Sequence, residues 1–309
     1  MNQSKIENVQ PEPKLISEQQ PMVIPSAQVT PMQCYGHVPL LVSFSGGRTS
    51  AFMAKYLKER YTDRALLFVF ANTGKEREET LQFINECDKR WSLNVIWLEY
   101  CLIDDKSTFK VVDFETASRN GEPFEEMIKK YGIPNKAFPH CSRELKKRTI
   151  KRYMRSIGIT SFETAIGIRY DEMHRINWET AKEEKNIYPL ATEIRATKDF
   201  IRKWWDKQDF DLQLKDYEGN CDMCWKKSER KLMTLILEKP ELMGWWNEME
   251  LKYGADEFTF FRNNKSAIDL MELAKQPFRK AKDEHEINQL QVSMFDDIDV
   301  EYDCFCKST

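Results

Sequence analysis

The stretch "LVSFSGGRTSAFMAKYL", residues 41–57, decides the fold of this chain. An apolar run ends at Gly46 and Gly47, and small or apolar residues then recur at near-helical spacing: Ala51, Met53, Ala54 and Leu57. The pattern predicts a strand, a glycine turn and a helix. A bare Ser-Gly-Gly turn fits a structural loop and a phosphate-binding loop equally well.

The residues of this turn have chemistry that suits an anion. Glycines let backbone amides approach a ligand, and the start of the following helix favours negative charge. Hydroxyl groups and one cation flank the glycines: Ser43, Ser45, Arg48, Thr49 and Ser50. The lack of G-x-x-x-x-G-K excludes a Walker-type loop, and the lack of a third spaced glycine excludes a dinucleotide fingerprint.

Further short apolar runs alternate with helical patterns. "ALLFVFANTG" (65–74) and "NVIWLEY" (94–100) are predicted strands, and "KEREETLQFINECDKRW" (75–91) between them is a predicted helix. "FETAIGIRYDEMHR" (162–175) supplies another strand and a polar loop. Runs that are apolar throughout predict a doubly wound parallel sheet of the α/β class. Ligands of such sheets lie beyond the carboxyl ends of the strands, where the glycine turn lies.

The rest of the chain is predicted to be mostly helical. "CSRELKKRTIKRYMRSIG" (141–158) has an apolar side and ends at a glycine, and from residue 197 onward helical patterns dominate, including "CDMCWKKSERKLMTLILEKPELMGWWNEME" (221–250). We therefore expect four parts: a flexible arm over 1–36, a nucleotide-binding α/β domain over 37–195, a helical part with cysteines over 196–280, and a tail over 281–309.

Composition limits the class of protein. The chain has 309 residues, of which 41% are hydrophobic and 31% are charged, as in globular proteins. A net charge of −3 gives no bulk reason to expect a nucleic-acid partner. No apolar run reaches the ~18 residues of a membrane span, and the N-terminus has no apolar signal core. These features predict a cytoplasmic protein without a membrane partner.

Eight cysteines in such a chain favour metal or redox chemistry over structural disulfides. Cys87 and Cys101 lie in apolar patterns and are predicted to be buried, inert thiols. Cys221 and Cys224 form a C-x-x-C, a spacing that lets two thiolates reach one metal from a turn. Taken alone, this pair is compatible with zinc, an iron–sulfur cluster, a redox dithiol or no function. Cys141 adds a third thiol.

Four ordered motifs resemble a known family. "SFSGGRTS" resembles the PP-loop, SGG-x-[DT]-S, of the adenine nucleotide α-hydrolase superfamily. "FANTGKEREETLQFI", "CSRELKKRTIKRYM" and "IGIRYDEMHRI" resemble the later motifs of the phosphoadenosine phosphosulfate (PAPS) reductase family. The resemblance covers roughly residues 39 to 240. It implies a Rossmann-like sheet of the PP-loop ATPase (HUP) type, and an enzyme of sulfur chemistry that binds ATP or PAPS.

The resemblance also implies which residues bind the nucleotide. The phosphate or sulfate end would contact the loop residues Ser43, Ser45, Gly46, Gly47, Arg48, Thr49 and Ser50. Later motifs would add Asn72, Thr73, Gly74, Arg143, Lys146, Lys147, Gly167 and Arg169. The adenine would lie near the ends of the strands at 65–70 and 162–168. Thr49 stands where many ATP-cleaving relatives carry an Asp that helps to hold Mg²⁺, so ATP and a sulfonucleotide both stay open, and so does Mg²⁺.

The cysteines resemble those of iron–sulfur sulfonucleotide reductases. That resemblance implies a [4Fe–4S] cluster bound by Cys141, Cys221 and Cys224. The fourth ligand would be His140, Cys304 or Cys306, and we assign Cys306. Zinc is the alternative metal. Cys304 and Cys306 in "EYDCFCKST" are also the candidate catalytic nucleophiles, because the family has a reactive cysteine in its C-terminal segment. A thiolate there would form an S-sulfonate and need an external, thioredoxin-like thiol reductant. The other interpretation is a pair of exposed thiols without function.

Other functions compete with the reductase. An ATP-dependent sulfurtransferase would adenylate a nucleobase and thiolate tRNA, or put phosphorothioate into DNA, and the basic helix 143–155 favours this interpretation. A non-catalytic nucleotide-binding or interaction protein is a further alternative, and the sequence leaves a homo-oligomer open. The pairs Trp204-Trp205 and Trp245-Trp246 could stack bases but are predicted to be packing anchors. Asp171 and Glu172 fit a metal or ribose site and a solvated loop equally well. His174 and His285 have no visible partner.

Overall fold

The structure is a computed structural model, and it describes residues 38–254 and 259–283. The predicted arm and most of the predicted tail lie outside the described residues, together with Cys34, His285, Cys304 and Cys306. Within the described part of the chain, no helix is long and apolar enough to cross a membrane.

Six strands form one sheet. They are β1 (Leu40–Ser43), β2 (Leu66–Asn72), β3 (Ile96–Ile103), β4 (Lys106–Val112), β5 (Glu163–Ala165) and β6 (Asn186–Ile187), and their order is β4-β3-β2-β1-β5-β6. All neighbouring pairs are parallel except β3 and β4. Helices cover both sides of this sheet, so the predicted Rossmann-like α/β class is confirmed.

β4 is an antiparallel edge strand that was not predicted from the sequence. This strand turns back on β3 through Asp104 and Asp105, whose φ angles are 49° and 56°. Two consecutive residues with positive φ form the kind of two-residue turn that joins antiparallel strands. The strand "KSTFKVV" is only partly buried and carries lysines, so it lacks the continuous apolar run by which the inner strands are predicted.

The helices are α1 (Arg48–Arg60), α2 (Glu78–Trp91), α3 (Glu122–Tyr131), α4 (Thr149–Ser156), α5 (Trp178–Glu184), α6 (Pro189–Thr192), α7 (Lys198–Trp205), α8 (Glu229–Glu238), α9 (Met243–Tyr253) and α10 (Ala267–Ala274). A π-helical segment, Cys141–Arg148, leads directly into α4, and short 3₁₀ segments cover Tyr170–Arg175, Pro240–Leu242 and Arg262–Asn264. The predicted basic helix is therefore present, but its first eight residues are wound more loosely than an α-helix.

The helix predicted from residue 221 begins later than expected. Residues 221–228 form turns, and α8 begins at Glu229 after Ser228, whose side chain accepts a hydrogen bond from the backbone N–H of Lys231. The start of α2 is delayed in the same way, from residue 75 to Glu78. Both delays have one cause, because Cys221 pairs with Glu76 in an antiparallel bridge that takes these backbones out of the helices.

The tryptophan pairs pack inside the protein. Trp205 is 2% exposed and lies in an aromatic cluster against α1 and α2, and Trp246 is fully buried against Phe124 and Phe260. Aromatic pairs of this kind contribute about 0.5–1.5 kcal/mol each beyond the area they bury. The prediction that these tryptophans anchor the helical part is confirmed.

Candidate functional site

The strand order places a crevice at the end of β1. Within the sheet, β2 and β3 lie to one side of β1, and β5 and β6, which come later in the chain, lie to its other side. In open α/β sheets a ligand site lies where the strand order reverses, outside the carboxyl ends of the strands. The glycine turn after β1 and the Gly167–Arg169 segment after β5 both lie at this point.

The glycine turn can be made only with glycine at position 46. Gly46 has a φ of +83°, and a Cβ atom there would lie 2.5 Å from Cγ2 of Thr80 and 2.8 Å from Cδ1 of Ile84. A side chain would therefore be strained twice, by the backbone conformation and by the first residues of α2. The sequence motif is thus a consequence of how closely α2 packs on the turn.

Hydroxyl groups hold the turn in shape. The Oγ of Ser45 donates to the Oγ of Ser50 at 3.0 Å, and the Oγ of Ser50 donates to the carbonyl of Gly47 at 2.9 Å. Among the described residues no side chain caps α1 at Gly47, and the first turn of α1 has no acidic residue. The N-terminal amides of α1 are therefore suited to an anion.

Arg48 does not direct its guanidinium toward an anion in the turn. Its Nε and Nη2 atoms donate to the carboxylate of Asp211, each at 2.7 Å, and Nη1 reaches the carbonyl of Leu214 at 3.3 Å. The indole of Trp205 in turn donates to the carbonyl of Arg48 at 3.0 Å. This arginine joins the phosphate loop to the 211–214 segment, and its backbone amide is the group that remains at the start of α1.

The segment after β5 brings a cation to the loop. A Cβ on Gly167 would lie 3.6 Å from the Cα of Ser50, so the two backbones are close neighbours. The Nη1 of Arg169 lies 3.4 Å from Oγ1 of Thr49. The Nε of Arg169 donates to Asp171 at 3.1 Å, which holds the guanidinium beside the loop.

The acidic residues after β5 are paired with arginines. Glu172 lies 3.3 Å from Arg169 and 2.6 Å from Arg175. The carboxylates of Asp171 and Glu172 therefore orient the guanidinium groups of these arginines. His174 lies in the same 3₁₀ segment and is exposed to solvent.

The second motif uses its polar groups internally. The buried Asn72 donates to Glu99 at 2.6 Å and accepts from the amide of Gly74 at 3.1 Å. The amide and the hydroxyl of Thr73 both donate to Glu76 at 2.7 Å. Asn72, Thr73 and Gly74 therefore build the turn that ends β2, next to the crevice.

The C-x-x-C turn pairs with the residues that follow this motif. The amide of Asp222 donates to the carbonyl of Lys75 at 2.9 Å, and the amide of Arg77 donates to the carbonyl of Asn220 at 2.8 Å. The ammonium of Lys75 forms an ion pair with Asp222 at 2.8 Å. The side chain of Asn220 donates to the carbonyl of Ser45 at 2.9 Å, so the cysteine turn contacts the phosphate loop itself.

Sequence reasoning missed Asn220, Lys75 and Asp222 as members of the site. The available signal was weak, since Gly219 and Asn220 before the first cysteine indicate only a turn. The contact that makes Asn220 important joins residues 175 positions apart, and a pattern in one stretch of sequence does not show such a contact.

The structure brings the three predicted metal ligands of the described chain into one region. Cys221 and Cys224 are buried in an apolar cluster, and Cys141 packs against the same cluster. The Nζ of Lys226 donates to the Oγ of Ser142 at 2.9 Å, which joins the two cysteine segments. Over the residues that the structure describes, however, no group of three or more His, Cys, Asp or Glu side chains is arranged to hold a metal ion. The described side chains thus do not form a metal site by themselves.

Several cations of the basic helix pair with acidic side chains. The fully buried Glu144 accepts hydrogen bonds from Arg143 at 2.8 Å and from Arg148 at 2.7 Å. Lys147 forms an ion pair with Glu184, and Lys146 lies 3.5 Å from Glu76 of the second motif. Lys146 thus contacts the turn that follows β2.

Burial sets the protonation of several other groups. Partial burial, reinforced by the charge of Arg143, lowers the pKa of His140, whose Nδ1 lies 2.8 Å from that guanidinium. Burial raises the pKa of the Cys87 thiol and, at the half-buried Cys101, also raises the thiol pKa. The predicted burial of Cys87 is confirmed, whereas Cys101 is only partly buried, because it lies near the end of β3 beside the edge strand β4.

Comparisons with known proteins agree with this geometry. The sequence profile described as "Phosphoadenosine phosphosulfate reductase domain" matches residues 39–115. The uncharacterized nin region protein ORF290 of Escherichia phage lambda is 32% identical over 217 residues, which cover 68% of this chain and 73% of the phage protein.

Two archaeal proteins are more distant relatives. The uncharacterized proteins MJ0066 and MJ0973 of Methanocaldococcus jannaschii are 27% and 24% identical, over 49% and 71% of this chain. The matches span only 28% and 49% of those two proteins, respectively. The motif order, the sheet topology and the family profile lead to one assignment: the chain belongs to the phosphoadenosine phosphosulfate reductase family of the PP-loop, adenine nucleotide α-hydrolase superfamily.

Proposed function

We propose that this protein is an enzyme of sulfur chemistry that binds an adenine nucleotide in the crevice between β1 and β5. The phosphate or sulfate end of the nucleotide lies on the amides and hydroxyls of residues 45–50, with the Arg169 guanidinium beside it. The adenine lies toward the ends of β2 and β5. The α1 N-terminus and Arg169 support this orientation, because both favour negative charge at the same point.

One observation carries the choice of chemistry. The hydrogen bond from Asn220 to Ser45 joins the residue before the cysteine turn to residues 45–50, the loop that we propose binds the anionic end of the nucleotide. The Cys221–Cys224 turn then lies beside the proposed site of the phosphate or sulfate group, which supports sulfur chemistry at this end of the nucleotide. The proposed nucleophile itself is a tail cysteine. The position of Thr49 also favours a sulfonucleotide, because a guanidinium at 3.4 Å disfavours a Mg²⁺ ion at the same place.

The proposed reaction is a thiol-dependent reduction of a sulfonucleotide. A thiolate of Cys304 or Cys306 attacks the sulfur of PAPS, the bond between this sulfur and the phosphate oxygen breaks, and adenosine bisphosphate leaves. A dithiol of the thioredoxin-like class then attacks the cysteine sulfur, releases sulfite and closes to a disulfide, so its two electrons reduce sulfate to sulfite. The reaction requires a reducing compartment such as the cytoplasm. Both cysteines lie outside the described residues.

The metal is a separate proposal, and no step above uses it. Cys141, Cys221 and Cys224, with Cys306 from the tail, would bind a [4Fe–4S] cluster, with zinc as the alternative. The shared packing of the three cysteines and the Lys226–Ser142 bond support it. Elemental analysis of anaerobically purified protein tests it: iron and sulfide support the cluster, stoichiometric zinc replaces it, and the absence of both metals rejects the site.

A second function has its own support in the structure. Tyr170 and Trp178 are 45% and 53% exposed, and both follow β5 close to Arg169 in the chain. Exposed aromatic rings can stack on the bases of a nucleic acid. The second candidate is therefore an ATP-dependent sulfurtransferase, in which ATP adenylates a base carbonyl and a sulfur nucleophile displaces AMP.

Calorimetric titration with PAPS and with ATP plus Mg²⁺ separates these functions. The reductase requires tighter binding of PAPS, followed by thiol-dependent sulfite release. Tighter binding of ATP with release of pyrophosphate in the presence of tRNA or DNA favours the sulfurtransferase. Binding without either turnover identifies a non-catalytic nucleotide-binding protein, and no binding of either nucleotide rejects the proposal.

A further inference from the structure

Asn220 lies directly before the first cysteine of the C-x-x-C turn and over the glycine turn of the phosphate loop. Its Nδ2 donates to the carbonyl of Ser45 at 2.9 Å. A Cβ on Gly47 would lie 3.2 Å from the same Nδ2 and 3.4 Å from Oδ1. The carboxamide therefore lies against Ser45 and Gly47, at the point where the backbone changes from strand to helix.

The backbone of Asn220 is bonded to a different part of the site. Its carbonyl accepts from the amide of Arg77 at 2.8 Å and from the hydroxyl of Thr80 at 3.5 Å. These residues lie at the start of α2, whose side chains also pack on Gly46. Asn220 thus joins the phosphate loop, the start of α2 and the cysteine turn.

The turn that follows Asn220 is held from several sides. Lys227 donates to the carbonyl of Asp222 at 2.7 Å. The Asp222 carboxylate accepts from the indole of Trp246 at 2.9 Å and pairs with Lys75 at 2.8 Å. A turn tied in this way moves as a unit, so a displacement of the cysteines is transmitted to the neighbouring Asn220.

We propose that Asn220 is a positioning residue that couples the phosphate loop to the Cys221–Cys224 turn. Its carboxamide holds the loop in the shape that binds an anion. Nucleotide binding to the loop stabilises the cysteine turn. If a ligand of the cysteines changes nucleotide affinity by some factor, nucleotide changes the affinity for that ligand by the same factor, because coupling between two sites is reciprocal. This inference rests on the proposed binding of an adenine nucleotide.

Two substitutions and one control test the affinity. Asn220→Ala removes the donor to Ser45 and should weaken PAPS or ATP binding about five- to tenfold, the value of one hydrogen bond. Asn220→Asp has the same shape without the donor and should weaken binding at least as much. Lys239→Met is the control. It removes a 2.7 Å ion pair with Glu218, a residue just before Asn220 in the chain, and should leave nucleotide affinity unchanged.

Hydrogen–deuterium exchange separates coupling from simple loss of structure. In the wild-type protein, saturating nucleotide should slow exchange in the phosphate loop and also at Arg77 and Asp222, whose amides bond across the cysteine turn. In Asn220→Ala, measured at nucleotide concentrations that saturate this variant, the loop should remain protected while the added protection of Arg77 and Asp222 disappears.

The outcomes separate this inference from the proposed function. If the wild-type protein binds neither nucleotide, the proposed function and the coupling are both wrong. If it binds and Asn220→Ala binds equally well, only the role of Asn220 is wrong. Equal protection of Arg77 and Asp222 in both proteins likewise overturns the coupling. A loss of affinity in Lys239→Met as large as in Asn220→Ala would assign the effect to general loosening of the segment.

Discussion

The guanidinium of Arg169 lies 3.4 Å from the hydroxyl of Thr49, although the two residues are 120 positions apart in the chain. One follows β5 and the other begins α1, and these elements meet where the strand order of the sheet reverses. A positive charge is thereby placed beside the N-terminus of α1, where the helix dipole also favours an anion. The pair supports the proposal that a phosphate or sulfate group binds in this crevice.

Arg169→Met should weaken nucleotide binding. Hydrogen bonds to charged groups contribute about 1.5–3 kcal/mol, so we expect a loss of roughly ten- to a hundredfold in calorimetric affinity. Arg90→Met is the matched control, because Arg90 pairs with Glu86 and Asp209 on the surface of α2. Equal affinities of the wild-type protein and Arg169→Met would remove this residue from the site.

Gly46→Ala should destabilise the protein more than Gly158→Ala does. Both glycines have positive φ, +83° and +79°, but only Gly46 has neighbours within 4 Å of a Cβ atom. Both variants have a conformational cost of about 1–2 kcal/mol for alanine at positive φ, and overpacking adds about 1–3 kcal/mol at Gly46. Urea unfolding of the two variants measures the difference. Equal losses would show that Thr80 and Ile84 move aside without cost.

Cys304→Ser and Cys306→Ser, made separately, should identify the nucleophile. The variant that lacks the reactive thiol should release no sulfite from PAPS in the presence of a dithiol, because no S-sulfonate can form. Cys101→Ser, in β3, is the control and should keep its activity. Full sulfite release by both tail variants would exclude the tail cysteines from the reaction.

Stability should fall in acid through Glu125. Its carboxylate accepts from Lys252 at 2.7 Å and from Tyr253 at 2.6 Å, and these bonds, that of Lys252 first, lower its pKa in the folded protein. A lowered pKa stabilises the fold above the unfolded value of about 4.3, and this contribution is lost as the pH falls through the folded pKa.

Urea unfolding at a series of pH values from neutral to below about pH 4.3 measures how the free energy of unfolding depends on pH. Glu125→Gln should be less stable at neutral pH and decline less steeply below about pH 4.3. Glu59→Gln, at an exposed side chain of α1, controls for the loss of one acidic group. If the free energy of unfolding of the wild-type protein and of Glu125→Gln changed equally with pH, Glu125 would not be the source of the acid sensitivity.

Cys87 should resist alkylation until the protein unfolds. The thiol is fully buried, and burial raises its pKa, so the reactive thiolate is rare. Mass spectrometry after treatment with iodoacetamide should find Cys87 unlabelled in native protein and labelled in urea, with the half-buried Cys101 reacting earlier. Labelling of native Cys87 at the rate of Cys101 would show that this region opens readily.

The sequence predicted those parts of the fold that depend on local pattern. β1, β2 and β3 follow from apolar runs that are buried on both faces, and the Gly46 turn follows from its place after β1. β4 could not be predicted in this way, because a partly buried edge strand has no such run. Its antiparallel direction depends on the backbone angles of Asp104 and Asp105, which the sequence does not state.

The site was predictable in its motifs and not in its contacts. The PP-loop and Arg169 are local signals, and the structure brings them together. Arg48 is also in the motif, yet its guanidinium is bonded to Asp211, a partner that only the folded chain supplies. The delayed start of α8 has the same origin, because the bridge between Glu76 and Cys221 overrides the helical pattern of the cysteine segment.

The bonds from Arg48 to Asp211 and from Asn220 to Ser45 have a consequence for synthesis of the chain. The ribosome synthesises the six strands of the sheet before it reaches residues 211–220. A nascent chain that ends near residue 195 therefore contains every strand but lacks the groups that brace the glycine turn. The glycine turn therefore reaches its braced form only after residues 211–220 have folded against it.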